Sequence, residues 1–405
     1  MKCGLLGRTL GHSYSPAIHA QMGGYEYALY EKEPDELPGF LQRGDFTGLN
    51  VTIPYKKAVV PYCARLSDAA QLLGSVNTLV RLPDGTLYGD NTDYDGFLSL
   101  VRHSGVEVNG KKALVLGSGG ASVTVQAVLR SLGAQVVVIS RSGEDNYDNL
   151  ARHADAQIIA NTTPVGMYPH NGASPLDLAA FPRCEAVYDI VYNPQRTALM
   201  LQAEVLGIPA FGGLHMLVAQ AKRASEIWQD KAIPHSETSR IEALLRADML
   251  NIVLVGMPGC GKSTVAAALG AALGREVCDS DALIEELAGM PIPEIFATEG
   301  EDTFRRLETQ AITQLSKRSG IILATGGGCV TRAENYPLLH QNGTVFWLQR
   351  DLTQLPTDGR PLSQSGKLQA MYEVRRPLYA RFADVTVDNN GAINDTVNAI
   401  KEALL

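Results

Sequence analysis

The sequence has no surplus of positive charge. Lys and Arg total 35 against 43 Asp and Glu, a net charge of -8, so no overall positive field gathers nucleic acid or anionic lipid. Any anion must then be held by local groups. Long hydrophobic runs are also missing. Nothing approaches the roughly 18 consecutive apolar residues of a membrane span, and Met1 to Gly7 enters strand-like sequence without a charged-then-apolar leader. A cytoplasmic protein with no membrane partner is expected. The six cysteines (Cys3, Cys63, Cys184, Cys260, Cys278, Cys329) form no Cys-x-x-Cys pair and have no His at zinc-ligand spacing. Disulfide scaffolding and structural zinc are therefore not expected.

What the sequence does have is apolar side chain: 45% hydrophobic against 19% charged over 405 residues, enough for globular cores in two or three domains. Short apolar runs alternate with amphipathic segments, the pattern of α/β proteins. Two runs end in Gly-rich turns, Lys111 to Gly117 and Asn251 to Gly256, and a nucleotide-binding unit is expected to begin at each. Strands are expected at Lys2 to Leu6, Tyr25 to Tyr30, Gly48 to Ile53, Val76 to Arg81 and Thr86 to Gly89. The expected organisation is an α/β substrate lobe over 1–104, a Rossmann dinucleotide lobe over 105–248, with its last helices packing back on the first lobe, and a P-loop kinase domain with a parallel sheet over 249–405.

Gly256 to Ser263 (GMPGCGKS) fits Gly-x-x-x-x-Gly-Lys-Ser between a strand and a helix. Glycines let successive N–H groups and the helix N-terminus face a phosphate, Lys262 adds a point charge, and the Ser263 hydroxyl can ligate magnesium. Gly259, Gly261, Lys262, Ser263 and Thr264 are the expected nucleotide contacts, with ATP and Mg2+ as the ligands. Further on stand Asp279-Ser280-Asp281, Pro291 to Glu308, Gly326-Gly327-Gly328, Gly359-Arg360-Pro361-Leu362 and Arg375-Arg376-Pro377-Leu378-Tyr379. With these motifs, 250–405 resembles shikimate kinase. The resemblance implies that Asp279 helps hold the magnesium shell and Asp281 meets the substrate hydroxyls. Arg305 and Arg375 would grip a carboxylate, Gly327 and Gly328 would line the pocket, and Arg360 would reach the transferring phosphoryl group. The stretch Leu348 to Arg360 is shorter than in that family, which puts the adenine-covering part of the lid in question.

Gly117-Ser118-Gly119-Gly120-Ala121 between a strand and a helix reads as a dinucleotide turn, although the glycine spacing is not Gly-x-Gly-x-x-Gly. Gly117, Gly119, Gly120 and Ala121 are the expected backbone contacts. After the next strand stands Arg141 rather than an acidic residue, which favours the extra phosphate of NADP(H) over the bare ribose of NAD.

The lobe ahead carries Ser13-Tyr14-Ser15-Pro16, Asn50 to Lys56 (NVTIPYK), Ser75-Val76-Asn77-Thr78 and Asp90-Asn91-Thr92-Asp93. With Asn161 to Met167 (NTTPVGM), Tyr188 to Pro194 and Leu214 to Ala221, these resemble shikimate dehydrogenase across about 1–235. The resemblance implies that Ser13 and Ser15 bind the substrate carboxylate, that Thr52, Asn77 and Gln220 bind its hydroxyls with Tyr192 beside them, and that Lys56 and Asp93 form the catalytic pair. The chemistry asks for such a pair. Hydride transfer to a ketone builds negative charge on oxygen, which an ammonium group can stabilise and then protonate.

The expected function is thus bifunctional: reduction of 3-dehydroshikimate, then phosphorylation of shikimate, with Lys262, Asp281 and Arg360 acting in the second step. Two alternatives remain at this level. One half could be a ligand-binding regulatory module, or the same folds could act on related acids such as quinate.

Overall fold

Lys112–Leu116 (KALVL) and Asn251–Val255 (NIVLV) each end in four consecutive apolar residues buried on both faces, as strands inside a helix-covered parallel sheet must be. The computed structural model describes residues 1–11, 13–355 and 367–404. Its strands are β1 (Lys2–Gly7), β2 (Glu26–Glu31), β3 (Gly48–Val51), β4 (Cys63–Leu66), β5 (Thr78–Arg81), β6 (Leu87–Asp90), β7 (Lys112–Leu116), β8 (Gln135–Ile139), β9 (Ile158–Asn161), β10 (Ala186–Asp189), β11 (Ala210–Gly212), β12 (Asn251–Val255), β13 (Val277–Asp279), β14 (Ile322–Ala324), β15 (Gly343–Gln349) and β16 (Val385–Asp388). They form three sheets in two compact units.

The first unit comprises Met1–Val165, Ser174–Tyr192 and Gln202–Leu245. Its first sheet has the order β2-β1-β3-β5-β6-β4. Strands β2, β1 and β3 run parallel, while β5 pairs antiparallel with both β3 and β6. Leu6, Leu49, Val51, Leu79 and Leu87 pack its core. The edge strand β4 was not expected from the sequence. Its four residues (CARL) have no fully buried member, so they carry no hydrophobic period to read.

The second sheet of this unit is entirely parallel, ordered β11-β10-β9-β7-β8. The chain reverses direction across the sheet between β7 and β9, and in open α/β sheets ligands bind at such a switch point, beyond the strand C-termini. Gly117 and Thr162 stand there, immediately after β7 and β9.

Helix Asp93–Ser104 packs along helix Leu214–Gln229. Thr92 occupies its N-cap position and Gly105 ends it in the left-handed region. Asp95 lies in its first turn. There burial raises its carboxyl above the usual range.

The second unit comprises Arg246–Leu405 with the segments Gly166–Ala173 and Asn193–Leu201. Its parallel sheet runs β13-β14-β12-β15-β16 over a core that includes Ile252, Leu254, Val265, Ile322, Phe346 and Tyr379. Arg196 is built into this unit: its Nε donates to the His340 carbonyl at 2.8 Å and its Nη2 to that of Gly343 at 2.7 Å. Among the described residues, no helix is long and apolar enough to cross a membrane.

Candidate active sites

In the first unit a cleft of about 210 Å3 is lined by Ser13, Ser15, Thr52, Lys56, Asn77, Asp93, Tyr192 and Gln220 together. These come from separate stretches of chain. Ser13 and Ser15 stand at the start of helix Ser15–Met22, where the Ser15 N–H donates to Ser13 Oγ at 3.2 Å. Hydroxyls at a helix N-terminus suit a carboxylate. Tyr14 meets Tyr192 edge-on, ring centroids 6.0 Å apart, and closes one wall. Burial raises the Tyr192 hydroxyl above its ordinary value, so it stays a neutral donor.

Lys56 Nζ lies 2.5 Å from Asp93 Oδ2, with the two side chains 32% and 18% exposed. The pair is thus reachable from the cleft yet half-withdrawn from water. Asp93 Oδ1 accepts from Asn77 Nδ2 at 3.0 Å. Gln220 donates its amide nitrogen to the Leu217 carbonyl at 2.9 Å, and its Oε1 lies 3.4 Å from Thr92 Oγ1 and 3.5 Å from Asn77 Nδ2. The cleft therefore offers one cation, hydroxyls for an anion, and amide groups of defined polarity.

The dinucleotide turn leaves β7 through Gly117 at φ +104°, a conformation open to glycine. A side chain there would also stand 3.0 Å from Thr162 Oγ1. Gly119 is the N-cap of helix Gly120–Ser131, and a Cβ on Gly119 or Gly120 would meet nothing within 4 Å. This helix N-terminus, with Ala121 in its first turn, faces open space where a pyrophosphate fits. Arg141 is exposed just beyond β8. Asp145, four residues on, is engaged by His153 Nε2 at 2.8 Å.

In the second unit, Gly261 at φ +96° turns the loop into helix Lys262–Leu273. Gly259 precedes it, and Ser263 and Thr264 lie exposed in the first turn. Lys262 is buried and donates to the carbonyls of Gly256 and Met257 at 2.9 and 3.1 Å, so its ammonium is held across the loop. Ser263 Oγ donates to Asp279 Oδ2 at 3.0 Å. A hydroxyl and a carboxylate at this spacing form the oxygen pair that magnesium takes. Asp279 also caps helix Ser280–Ala288 through the Asp281 N–H at 2.9 Å, which leaves the Asp281 side chain free of that task.

Asp281 Oδ1 and Glu308 Oε1 are buried without a hydrogen-bond partner, and a Cβ on Gly326 would stand 2.7 and 2.8 Å from them. Burial, with Asp279 nearby, raises the Asp281 carboxyl, and burial also raises that of Glu308. Arg305 Nη1 donates to Glu308 Oε2 at 2.9 Å and Nη2 to Glu301 Oε1 at 3.0 Å. A Cβ on Gly328 would stand 2.0 Å from the Arg305 guanidinium, so a side chain there would push the guanidinium off its carboxylate partners. Arg375 Nη1 donates to the Gly327 carbonyl at 3.1 Å. Two guanidinium groups, unpartnered carboxylate oxygens and the Gly326 to Gly328 backbone thus converge beside the P-loop lysine. Arg360 lies outside the described residues.

Sequence reasoning gave no role to Tyr14, Asn50, Thr78, Thr92 or Glu308. Glu308 ends the quoted stretch Pro291 to Glu308, and its signal was three-residue spacing from Arg305 on one helix face. Asn50, Thr78 and Thr92 sit inside quoted motifs as polar residues, and only tertiary structure shows what they bind.

An amine–carboxylate pair in a cleft beside a dinucleotide-type sheet, and a P-loop with an acid and two arginines on a separate sheet, define an oxidoreductase joined to a phosphotransferase. Residues 5–79 match the family model described as shikimate dehydrogenase substrate binding domain, and 258–405 the one described as shikimate kinase. The shikimate dehydrogenase (NADP(+)) of Methanopyrus kandleri is 35% identical over 264 residues, 57% of this chain and 91% of the relative. Among solved structures, shikimate 5-dehydrogenase from Thermus thermophilus in complex with NADP(H) and shikimate is 32% identical with a TM-score of 0.55, covering 60% of this chain and 98% of that one. A chorismate mutase/shikimate 5-dehydrogenase fusion protein from Clostridium acetobutylicum is 34% identical, with a TM-score of 0.57 over 60% of this chain and 96% of that one. The chain belongs to the shikimate dehydrogenase family and carries a shikimate kinase domain in its C-terminal region.

Proposed function

We propose that the chain reduces 3-dehydroshikimate to shikimate with NADPH and phosphorylates shikimate to shikimate 3-phosphate with ATP and Mg2+. The observation that carries this reading is the presence of two site constellations in one chain. The first is the Lys56–Asp93 pair at 2.5 Å in a cleft lined by Ser13, Ser15, Thr52, Asn77 and Gln220. The second is Lys262, Asp281, Arg305 and Arg375 around the Gly326 to Gly328 backbone.

When bound, NADPH supplies the hydride and magnesium-ATP the phosphoryl group. Gly117, Gly119, Gly120 and Ala121 would hold the dinucleotide, with Arg141 on its ribose phosphate. The protein's own part in reduction is positioning and proton supply. Ser13 and Ser15 bind the carboxylate, and Thr52, Asn77 and Gln220 fix the ring hydroxyls. Lys56 Nζ then gives its proton to the ketone oxygen as negative charge develops there, while Asp93 holds the amine in place.

In phosphorylation, Asp281 accepts from the attacking hydroxyl and orients it, and Arg305 and Arg375 bind the carboxylate. Lys262, with Ser263 and Asp279 as the metal-holding pair, balances charge on the phosphates. The open Asp281 oxygen supports this assignment, because a bound hydroxyl gives it the partner it lacks.

The test supplies 3-dehydroshikimate, NADPH, ATP and magnesium to the purified chain and identifies the end product. Shikimate 3-phosphate is expected. Accumulation of shikimate alone would sink the kinase half of the reading, and unchanged 3-dehydroshikimate the reductase half.

A further inference from the structure

The amide of Asn77 has no freedom of orientation. Its Oδ1 accepts from the Thr92 backbone N–H at 2.7 Å, from Thr92 Oγ1 at 3.2 Å and from Thr78 Oγ1 at 3.1 Å. A backbone N–H can only donate, so the amide oxygen must face it and the amide nitrogen must face the other way. That other way is the cleft, where Nδ2 donates to Asp93 Oδ1 at 3.0 Å and approaches Gln220 Oε1 at 3.5 Å.

The arrangement continues upstream. Tyr27 donates its hydroxyl proton to Asn50 Oδ1 at 2.8 Å, and Asn50 Nδ2 donates to Thr78 Oγ1 at 3.4 Å. Thr78 has a single proton, and with Asn50 donating to its oxygen that proton goes either to Asn77 Oδ1 at 3.1 Å or to Thr92 Oγ1 at 3.2 Å, which itself donates to the same Asn77 oxygen at 3.2 Å. Directly or through Thr92, the donors from Tyr27 through Asn50 and Thr78 thus lead to the Asn77 amide oxygen, whose nitrogen faces the Asp93 carboxylate. Asn50, Thr78, Asn77 and Thr92 are all buried, so water does not compete, and hydrogen bonds in such a queue polarise one another.

We propose that Thr78 is a positioning residue of the reduction: its hydroxyl joins two buried amides into a one-directional relay that holds Asn77 as a donor to Asp93, and so holds the Lys56–Asp93 pair in register with the ketone. The inference rests on the dehydrogenase reading of this cleft. A purely structural role would make Thr78 matter for folding alone.

Thr78→Val keeps the shape and removes the proton, while Thr78→Ser keeps the hydroxyl. Turnover, KM for the ketone, KM for NADPH and thermal midpoint are measured for both and for the unaltered protein. Thr78→Val should lower kcat about 10- to 100-fold, less than the roughly 100- to 1,000-fold of losing a donor aimed at the reacting atoms themselves, with KM for NADPH changed less than about twofold. Thr78→Ser should recover most of that loss. Equal impairment of both variants, or full turnover in Thr78→Val, would overturn the proposal. Should Thr78→Val fail to fold, Tyr27→Phe removes the head of the relay instead. A fall in kcat of roughly three- to tenfold, the scale of one neutral hydrogen bond, at unchanged NADPH KM is then expected, and unchanged kcat overturns the proposal. Absence of ketone reduction by the unaltered protein would instead count against the function itself.

Discussion

Gly96 lies against Gln220. A Cβ on Gly96 would stand 3.0 Å from the Gln220 Cβ and 2.8 Å from the Met216 carbonyl oxygen, so the missing side chain lets helix Asp93–Ser104 and helix Leu214–Gln229 approach closely. The two helices deliver Asp93 and Gln220 to one cleft, and their spacing sets the distance between these side chains. Gly96→Ala should separate them. Stability is expected to fall by about 1–3 kcal/mol, the usual cost of overpacking. Ketone reduction should fall by more than the folded fraction does, while phosphorylation of added shikimate stays near its original rate. Thermal melts alongside both assays check this.

Separate chemistries predict separable lesions. Lys56→Ala should abolish reduction and leave phosphorylation of added shikimate, and Lys262→Ala should do the reverse. Loss of both activities from either change, in protein that remains folded by circular dichroism, would contradict the assignment of two sites.

Cofactor choice is assigned to Arg141, exposed beyond β8 with Asp145 held by His153. A guanidinium can meet a ribose phosphate through two parallel hydrogen bonds. Arg141→Ala should weaken NADPH use about 10- to 100-fold, since a charge-assisted bond is worth about 1.5–3 kcal/mol. NADH use should change far less, and equal losses with both cofactors would remove Arg141 from the role.

Much of this was legible in the sequence because it rests on local chain geometry. The P-loop and the dinucleotide turn are each a strand, a glycine turn and a helix contiguous in sequence, and the structure builds them as such. Lys56 and Asp93 could be named as a pair because the motifs around them resemble those of shikimate dehydrogenase, and ketone reduction asks for an amine of this kind. Strand β4 was not legible, since its register comes from β6, which is distant in sequence. The relay through Asn50 and Thr78 was hidden for the same reason: each residue alone is an ordinary buried polar group, and only the tertiary fold gives the donors a common direction. Glu308 falls between these cases, because its spacing from Arg305 was visible while its burial was not.

The last expectation concerns pH. His19 is buried at 1% exposure, stacked on Tyr27 with ring centroids 4.1 Å apart and against Trp228 at 5.2 Å. Its Nδ1 lies 2.6 Å from the Tyr25 hydroxyl. These neighbours carry no charge at neutral pH, and burial lowers its pKa from 6.5 to about 3. The folded state therefore holds a neutral ring where the unfolded chain would bind a proton below 6.5. A base with a lowered folded-state value leaves stability unaffected above the unfolded value and subtracts from it as pH falls between the two. From this group alone the first unit should lose up to about 1.4 kcal/mol per pH unit on acidification below 6.5, levelling off near 3. Urea unfolding between about pH 7 and pH 5, followed by tryptophan fluorescence in a Trp347→Phe background that leaves Trp228 as the reporter, reads this slope. His19→Phe keeps a flat ring in the stack and removes the titration, so its slope should be shallower even if its stability at neutral pH is lower. Parallel slopes in the two proteins would assign the acid sensitivity to other groups.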